Sequence, residues 1–296
     1  MNYKSIIISL LAILLLGCGG SIKENTEKPV VMVSIVPQKY FVERVADTLV
    51  NVYVMVPPGS SPETYEPTPI QVKTLSKSSV YFSLGLLDFE RSTLKNLQKQ
   101  NEKTLFVSHS SELNLIEGHC HGHNHSDGHS HEHGFDPHVW SSPAEVRIMV
   151  NSIRETLSKL FPEHDSIFGA NAKAFLSEID SIDNHMKKSF EGLSTHKFFV
   201  FHPAFAYLAR DYGLEQISLE EDGKSPSMRH MKSILQQARN EGVKTIFIQK
   251  EFDSKTAKTI AEDIGGKVVV IDPLEYDWVK SMHTITAQLK EAMGGE

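Results

Sequence analysis

The sequence predicts an α/β protein of two lobes, each built on a mainly parallel sheet. A long rigid helix joins the lobes, and a ligand cleft lies between them. Three observations predict this. Short, almost wholly apolar runs recur in two sets of four, with room for crossover helices between them, which is the pattern of parallel sheets covered on both faces. A long helical stretch separates the two sets. The side chains best suited to holding a ligand fall just past the ends of these runs, where open parallel sheets place their ligand sites. A length of 296 residues agrees with about two domains.

The first segment stands apart from both lobes. Lys4 precedes the apolar run IIISLLAILLL, Ile6 to Leu16. As a helix this run would cross only about half of a bilayer core, so residues 1–17 read as a signal peptide. The ending LLGC, Leu15 to Cys18, resembles a bacterial lipobox. That resemblance implies cleavage before Cys18 and a lipid on its sulfur. Residues 18–29 are polar and rich in Gly, Ser, Glu and Lys, the composition of a tether.

Residues 30–162 form the expected N-terminal lobe. Its strands are VVMVSIV (Val30 to Val36), NVYVMV (Asn51 to Val56), VYFSL (Val80 to Leu84) and TLFVS (Thr104 to Ser108). A histidine-rich loop, residues 118–134, follows the fourth. It carries His119, Cys120, His121, His123, His125, His129, His131 and His133 among Gly, Ser, Asn, Asp and Glu. With almost nothing to bury, this loop is expected to stay disordered when empty. Cys120 has no partner for an internal disulfide once Cys18 is assigned, so contact with metal is the expectation for it. SPAEVRIMVNSIRETLSKLF then begins a helix, with Ser142 as N-cap and Pro143 at the first helical position.

Residues 163–193 are the expected linking helix. Ile167, Ala170, Ala174, Ile179, Ile182, Met186 and Phe190 fall at steps of three to five along one face, and Gly192 ends the pattern. About 26 residues of helix span nearly 40 Å, enough for a rigid connector. Residues 194–296 then form the C-terminal lobe. Its strands are KFFVFH (Lys197 to His202), QISLE (Gln216 to Glu220), TIFIQ (Thr245 to Gln249) and KVVVID (Lys267 to Asp272).

Four side chains are candidates for the cleft. His202 and Asp272 end two strands of the second set, Glu63 lies in PPGSSPETYEPTP after the second strand, and His138 follows the fourth. Imidazole nitrogens with carboxylate oxygens suit a divalent transition metal. Trp140 and Trp278 are expected to pack rather than bind. His109, His164, His185, His196, His230 and His283 are expected on the surface or in the scaffold.

The segments PPGSSPETYEPTP, FDPHVWSSP, VFHPAFAYLARDYGL, TIFIQKEF and VVVIDPL resemble the metal-binding solute-binding proteins of bacterial ABC importers, the zinc and manganese uptake group called cluster 9. The resemblance runs from about Val30 to the C-terminus. It implies two α/β lobes bridged by a long helix, and metal ligands at His138, His202 and Asp272. The family commonly has a histidine where this chain has Glu63. A carboxylate there relaxes the preference for zinc and admits Mn²⁺ or Fe²⁺. His202 and the histidine tract are features of zinc members, so Zn²⁺ is the expected cargo.

The resemblance also implies a membrane permease and its ATPase as partners, with the chain outside the cytoplasm on its lipid anchor. A monomer is expected. The rival reading within the same family is a metal-binding surface adhesin. An enzyme is not expected. There is no HExxH, no nucleophile elbow and no phosphate-binding glycine spacing, DYGLEQ and EDGKS included. A formal net charge of −7 argues against nucleic acid.

A preorganised cleft has met its ordering cost during folding. Closing a flexible loop on an ion orders each residue at about 1–2 kcal/mol. His138 is therefore read as the cargo ligand and the tract as accessory.

Overall fold

The computed structural model describes residues 28–118, 134–220, 227–252 and 254–295. The expected signal peptide, Cys18, most of the tether and the accessory residues His119, Cys120, His121, His123, His125, His129, His131 and His133 lie outside the described residues. No helix of the described residues is long and apolar enough to cross a membrane.

Eight four-residue strands form two sheets among the described residues. The first sheet holds β1 (Val30–Val33), β2 (Asn51–Val54), β3 (Val80–Ser83) and β4 (Leu105–Ser108), in the order β2-β1-β3-β4. The second holds β5 (Lys197–Val200), β6 (Glu215–Ser218), β7 (Thr245–Ile248) and β8 (Lys267–Val270), in the order β6-β5-β7-β8. All pairings within them are parallel, as the apolar runs predict.

The prediction of burial on both faces holds best for the inner strands. β3 and β7 are buried at every position, whereas the edge strands β4 and β8 are exposed at both end residues and partly buried at the two between. An edge strand has a neighbour on one side only, so half of its rim stays with solvent.

Helices make the crossovers. α1 (Val36–Ala46), α2 (Pro69–Leu75) and α3 (Lys95–Gln100) serve the first sheet. α6 (Ala206–Tyr212), α7 (Met228–Asn240) and α8 (Ser254–Asp263) serve the second, and α9 (Trp278–Ala292) closes the described chain. Between the sheets run α4 (Pro143–Leu160) and the 25-residue α5 (Asp165–Ser189). Ser142 caps α4 as expected, its Oγ accepting the Glu145 N–H at 3.2 Å. Gly192 adopts φ 68°, which glycine takes without a Cβ penalty, and turns the chain out after α5.

The face of α5 differs from the sequence reading. Its buried residues are Phe168, Ala172, Phe175, Ile179, Ile182 and Met186. Ile167, Ala170 and Ala174 point to solvent, with Ile167 43% exposed. The true stripe steps alternately by four and three from Phe168, so the expected stripe was one or two positions out of phase in its first half and correct from Ile179 onward. Phe168 and Phe175 fix the phase because burying a large ring removes more apolar surface than burying alanine.

α5 is clamped rather than free-standing. Phe175 packs against Phe41 of α1 and Trp278 of α9, at ring separations of 6.0 and 6.4 Å. Arg44 of α1 grips Glu178 of α5 with two hydrogen bonds, of 2.9 and 2.5 Å. One hydrophobic core takes in the first sheet, α1, α4, α5 and α9, and continues through Phe198, Val200 and Phe247 into the second sheet. A smaller core fills the outer face of that second sheet, around Phe199, Ile246 and Ile260.

Candidate metal centre

The candidate residues sit on the connections that follow the carboxyl ends of strands in both sheets. Glu63 lies in the loop between β2 and α2. His138 lies in the long connection from β4 to α4, at the entry to a short helical turn, Val139–Ser141. His202 follows β5 by two residues, and Asp272 follows β8 by two.

Glu63, His138 and His202 come together: one ligand atom from each lies within 4.8 Å of the others. The His138 and His202 Nε2 atoms are 3.2 Å apart. Glu63 Oε1 is 3.8 Å from His138 Nε2, and Glu63 Oε2 is 3.5 Å from His202 Nε2. A tetrahedral ion with bonds of ~2.0–2.1 Å separates its ligand atoms by about 3.3 Å. The separations between the three donors, 3.2 to 3.8 Å, are therefore close to the edge length of such a tetrahedron.

Each imidazole is oriented from behind. His138 Nδ1 lies 2.9 Å from Asp136 Oδ1, which also accepts the His138 backbone N–H at 2.8 Å. His202 Nδ1 lies 2.7 Å from Glu220 Oε2. A carboxylate only accepts, so both Nδ1 atoms carry the proton and both Nε2 lone pairs face the cleft. Two lone pairs 3.2 Å apart repel unless a proton or a cation stands between them. Burial works against charging His138, but Asp136, then Glu63 and Glu220, outweigh it and raise its pKa.

Further contacts hold the rings in place. Gln249, after β7, donates to the His202 carbonyl at 2.7 Å and accepts the His202 N–H at 3.4 Å. Phe252 stacks on the His202 ring at 4.8 Å. Trp140 packs 5.2 Å from the His138 ring. It is also part of the seam between the lobes: its indole N–H donates to the Pro273 carbonyl, and that of Trp278 to the Trp140 carbonyl, both at 2.8 Å. The expectation of packing for these two residues thus omitted their hydrogen bonds.

Asp272 stands outside the three-residue cluster. Its Oδ2 pairs with Lys250 Nζ at 2.7 Å, and its Oδ1 accepts the Leu274 N–H at 2.9 Å. Beside it, a cavity of about 240 Å³ is bounded by the Pro57–Pro62 loop of the first lobe and by Lys250, Glu251 and Asp272 of the second. Glu251 is half-buried there, and burial raises its pKa.

Asp136, Glu220, Gln249 and Lys250 were missed in the sequence reading. Asp136 had a signal, two residues before His138 in FDPHVW. The others had none, because their partners are distant in the chain. The tract has its root at this site. Gly118 N–H donates to Gly134 O at 2.8 Å, and Asp136 N–H to Ile116 O at 2.9 Å. The chain thus leaves and re-enters through a two-rung ladder that ends at the residue orienting His138.

Residues 31–292 match the family described as "Zinc-uptake complex component A periplasmic", ZnuA. The chain belongs to the ZnuA family. Among curated relatives, "Zinc-binding protein AdcA" of Streptococcus pyogenes serotype M1 is 30% identical over 240 residues, 76% of this chain and 46% of that protein. The chain thus spans about half the length of the first curated relatives it matches. "High-affinity zinc uptake system protein ZnuA" of Bacillus subtilis is 29% identical, over 91% of this chain and 87% of its own length. Among solved structures, "Crystal structure of ZnuA" aligns with a TM-score of 0.83 at 32% identity, over 90% of this chain and all of the other. A zinc-bound ZnuA deletion mutant aligns at 0.81 and 31% identity, over 91% of this chain and all of the other.

Proposed function

We propose that this ZnuA-family chain captures Zn²⁺ between its lobes and delivers it to the membrane permease of an ABC importer, driven by a partner ATPase. It is a binding component and not an enzyme, and it works outside the cytoplasm, held by lipid on Cys18 as a monomer. Glu63, His138 and His202 are the ligands, with Asp272 as a fourth.

The observation that carries this reading is the pair of Nε2 lone pairs 3.2 Å apart, each fixed by a carboxylate on the far side of its ring. That arrangement suits a cation with nitrogen affinity, and imidazole ranks among the preferred ligands of zinc. The relatives, named as zinc-binding and zinc-uptake proteins, support zinc over Mn²⁺ or Fe²⁺. The histidine tract is accessory: its stem lies against the site, so ions gathered there are released beside His138.

The test is a chelator-competition titration of the chain lacking residues 119–133, with Zn²⁺ against Mn²⁺. One tight zinc equivalent that excess manganese does not displace is the expected result. Comparable manganese binding would change the cargo, and loss of all tight binding would move a ligand into the tract. Glu63→Ala should weaken zinc by at least the ~10–100-fold that loss of an outer-shell partner costs. Affinity within about twofold of the parent removes Glu63 from the ligand set.

A further inference from the structure

Lys250 stands where a cation cleft has least use for one. The walls around His138 and His202 carry Glu63, Asp136, Glu220, Glu251 and Asp272, which favours a divalent ion. Yet the Lys250 ammonium is laid against Asp272, the only one of the four expected ligands outside the cluster. The two side chains meet because β7 and β8 are neighbours and each residue follows its strand by two. Lys250 also directly follows Gln249, which clamps the His202 backbone.

Resting on the zinc-capture reading, we propose that Lys250 is a tethered stand-in cation. It holds Asp272 back from the metal site, and an arriving divalent ion gains this carboxylate only by displacing the ammonium.

Three features fit a displaceable pair. The Lys250 side chain is 55% exposed while that of Asp272 is 17% exposed, so the ammonium can leave into water while the carboxylate stays at the cleft. Exposed pairs of this kind are weak, and a doubly charged ion that bonds directly outcompetes one ammonium. A second acceptor is already in place, with Glu275 Oε2 3.5 Å from Lys250 Nζ, so the lysine can shift to it without losing a partner. The cavity beside the pair gives the side chains room to move. Lys250 would thereby set how readily the site lets go of its ion, a useful property in a carrier that must release its cargo.

The test is a double-mutant cycle on the full chain, reading zinc affinity by chelator competition in the parent, K250M, D272N and K250M/D272N. If Asp272 is free for about a tenth of the time, K250M tightens binding about tenfold, because apparent affinity scales with the competent fraction. The same substitution made in D272N leaves affinity unchanged. K250R keeps the pair and the parent's affinity. Melting of the metal-free variants checks folding, and K250Q repeats the measurement if K250M melts early. Equal tightening in the D272N background would mean that Lys250 acts only through its charge, and the inference falls. No tightening in either background also overturns it. A parent chain with no tight zinc site would overturn the capture reading itself, and this inference with it.

Discussion

At the scale of single residues, the two imidazoles that meet in the cleft are each held from behind by a carboxylate. Glu220 fixes the tautomer of His202, as Asp136 fixes that of His138. Glu220→Gln keeps an acceptor but removes the charge that supports the ring as a donor. Zinc affinity should fall by about tenfold, with the melting temperature of the metal-free protein little changed. An unaltered affinity would reduce Glu220 to packing. These partners also show what the sequence could and could not tell. Glu63, His138 and His202, expected on loops that follow apolar runs, do come together; Asp272 was expected on the same ground but stands outside that cluster, and Asp136 was legible in hindsight. Glu220 was not, since its link to His202 arises when β6 lies down beside β5, bringing Ser218 opposite Val200. The pairing of Lys250 with Asp272 was hidden for the same reason: strand order is decided by packing across the lobe.

At the scale of elements, the eight apolar runs located every strand, although the hydrogen-bonded ladders are only four residues long and stop short of the site residues. That shortness has a use. The residues past each ladder are free to turn into the cleft, which is how His202 and Asp272 come to stand on loops rather than strands. α5 is the instructive miss. Its length was readable, but its early face was not, because both Ile167 and Phe168 are apolar and only the partner helices decide between them. The corrected face gives a direct comparison. Ile179→Ala, at a fully buried position, should cost about 2–5 kcal/mol in urea unfolding. Ile167→Ala should stay within about 0.5 kcal/mol. Equal losses would refute the packing described for α5.

At the scale of the whole molecule, the two sheets share a core, so events in one lobe bear on the stability of both. His109 is the plainest case. It directly follows β4, fully buried and stacked on Phe82, with its Nε2 lacking a hydrogen-bond partner, and burial pushes its pKa down from 6.5 to about 4. The unfolded chain takes up this proton as pH falls through 6.5, and the folded chain refuses it until about 4. Its stabilising contribution is therefore complete above 6.5 and is lost progressively below it. Between pH 7 and pH 5 the loss is about 2 kcal/mol. His109→Phe should remove that component, read as a smaller change in unfolding free energy across the same interval; an unchanged acid response would place the sensitivity elsewhere. The seam of indoles carries a different consequence. The chain has only two tryptophans, both lie at this one boundary, and each is 1% exposed. All of the protein's indole emission therefore originates where the lobes meet. Parting the lobes there would wet both rings, whereas rearrangement confined to either sheet would leave the colour of the light alone. The protein carries its own optical gauge of that boundary, with no label to attach.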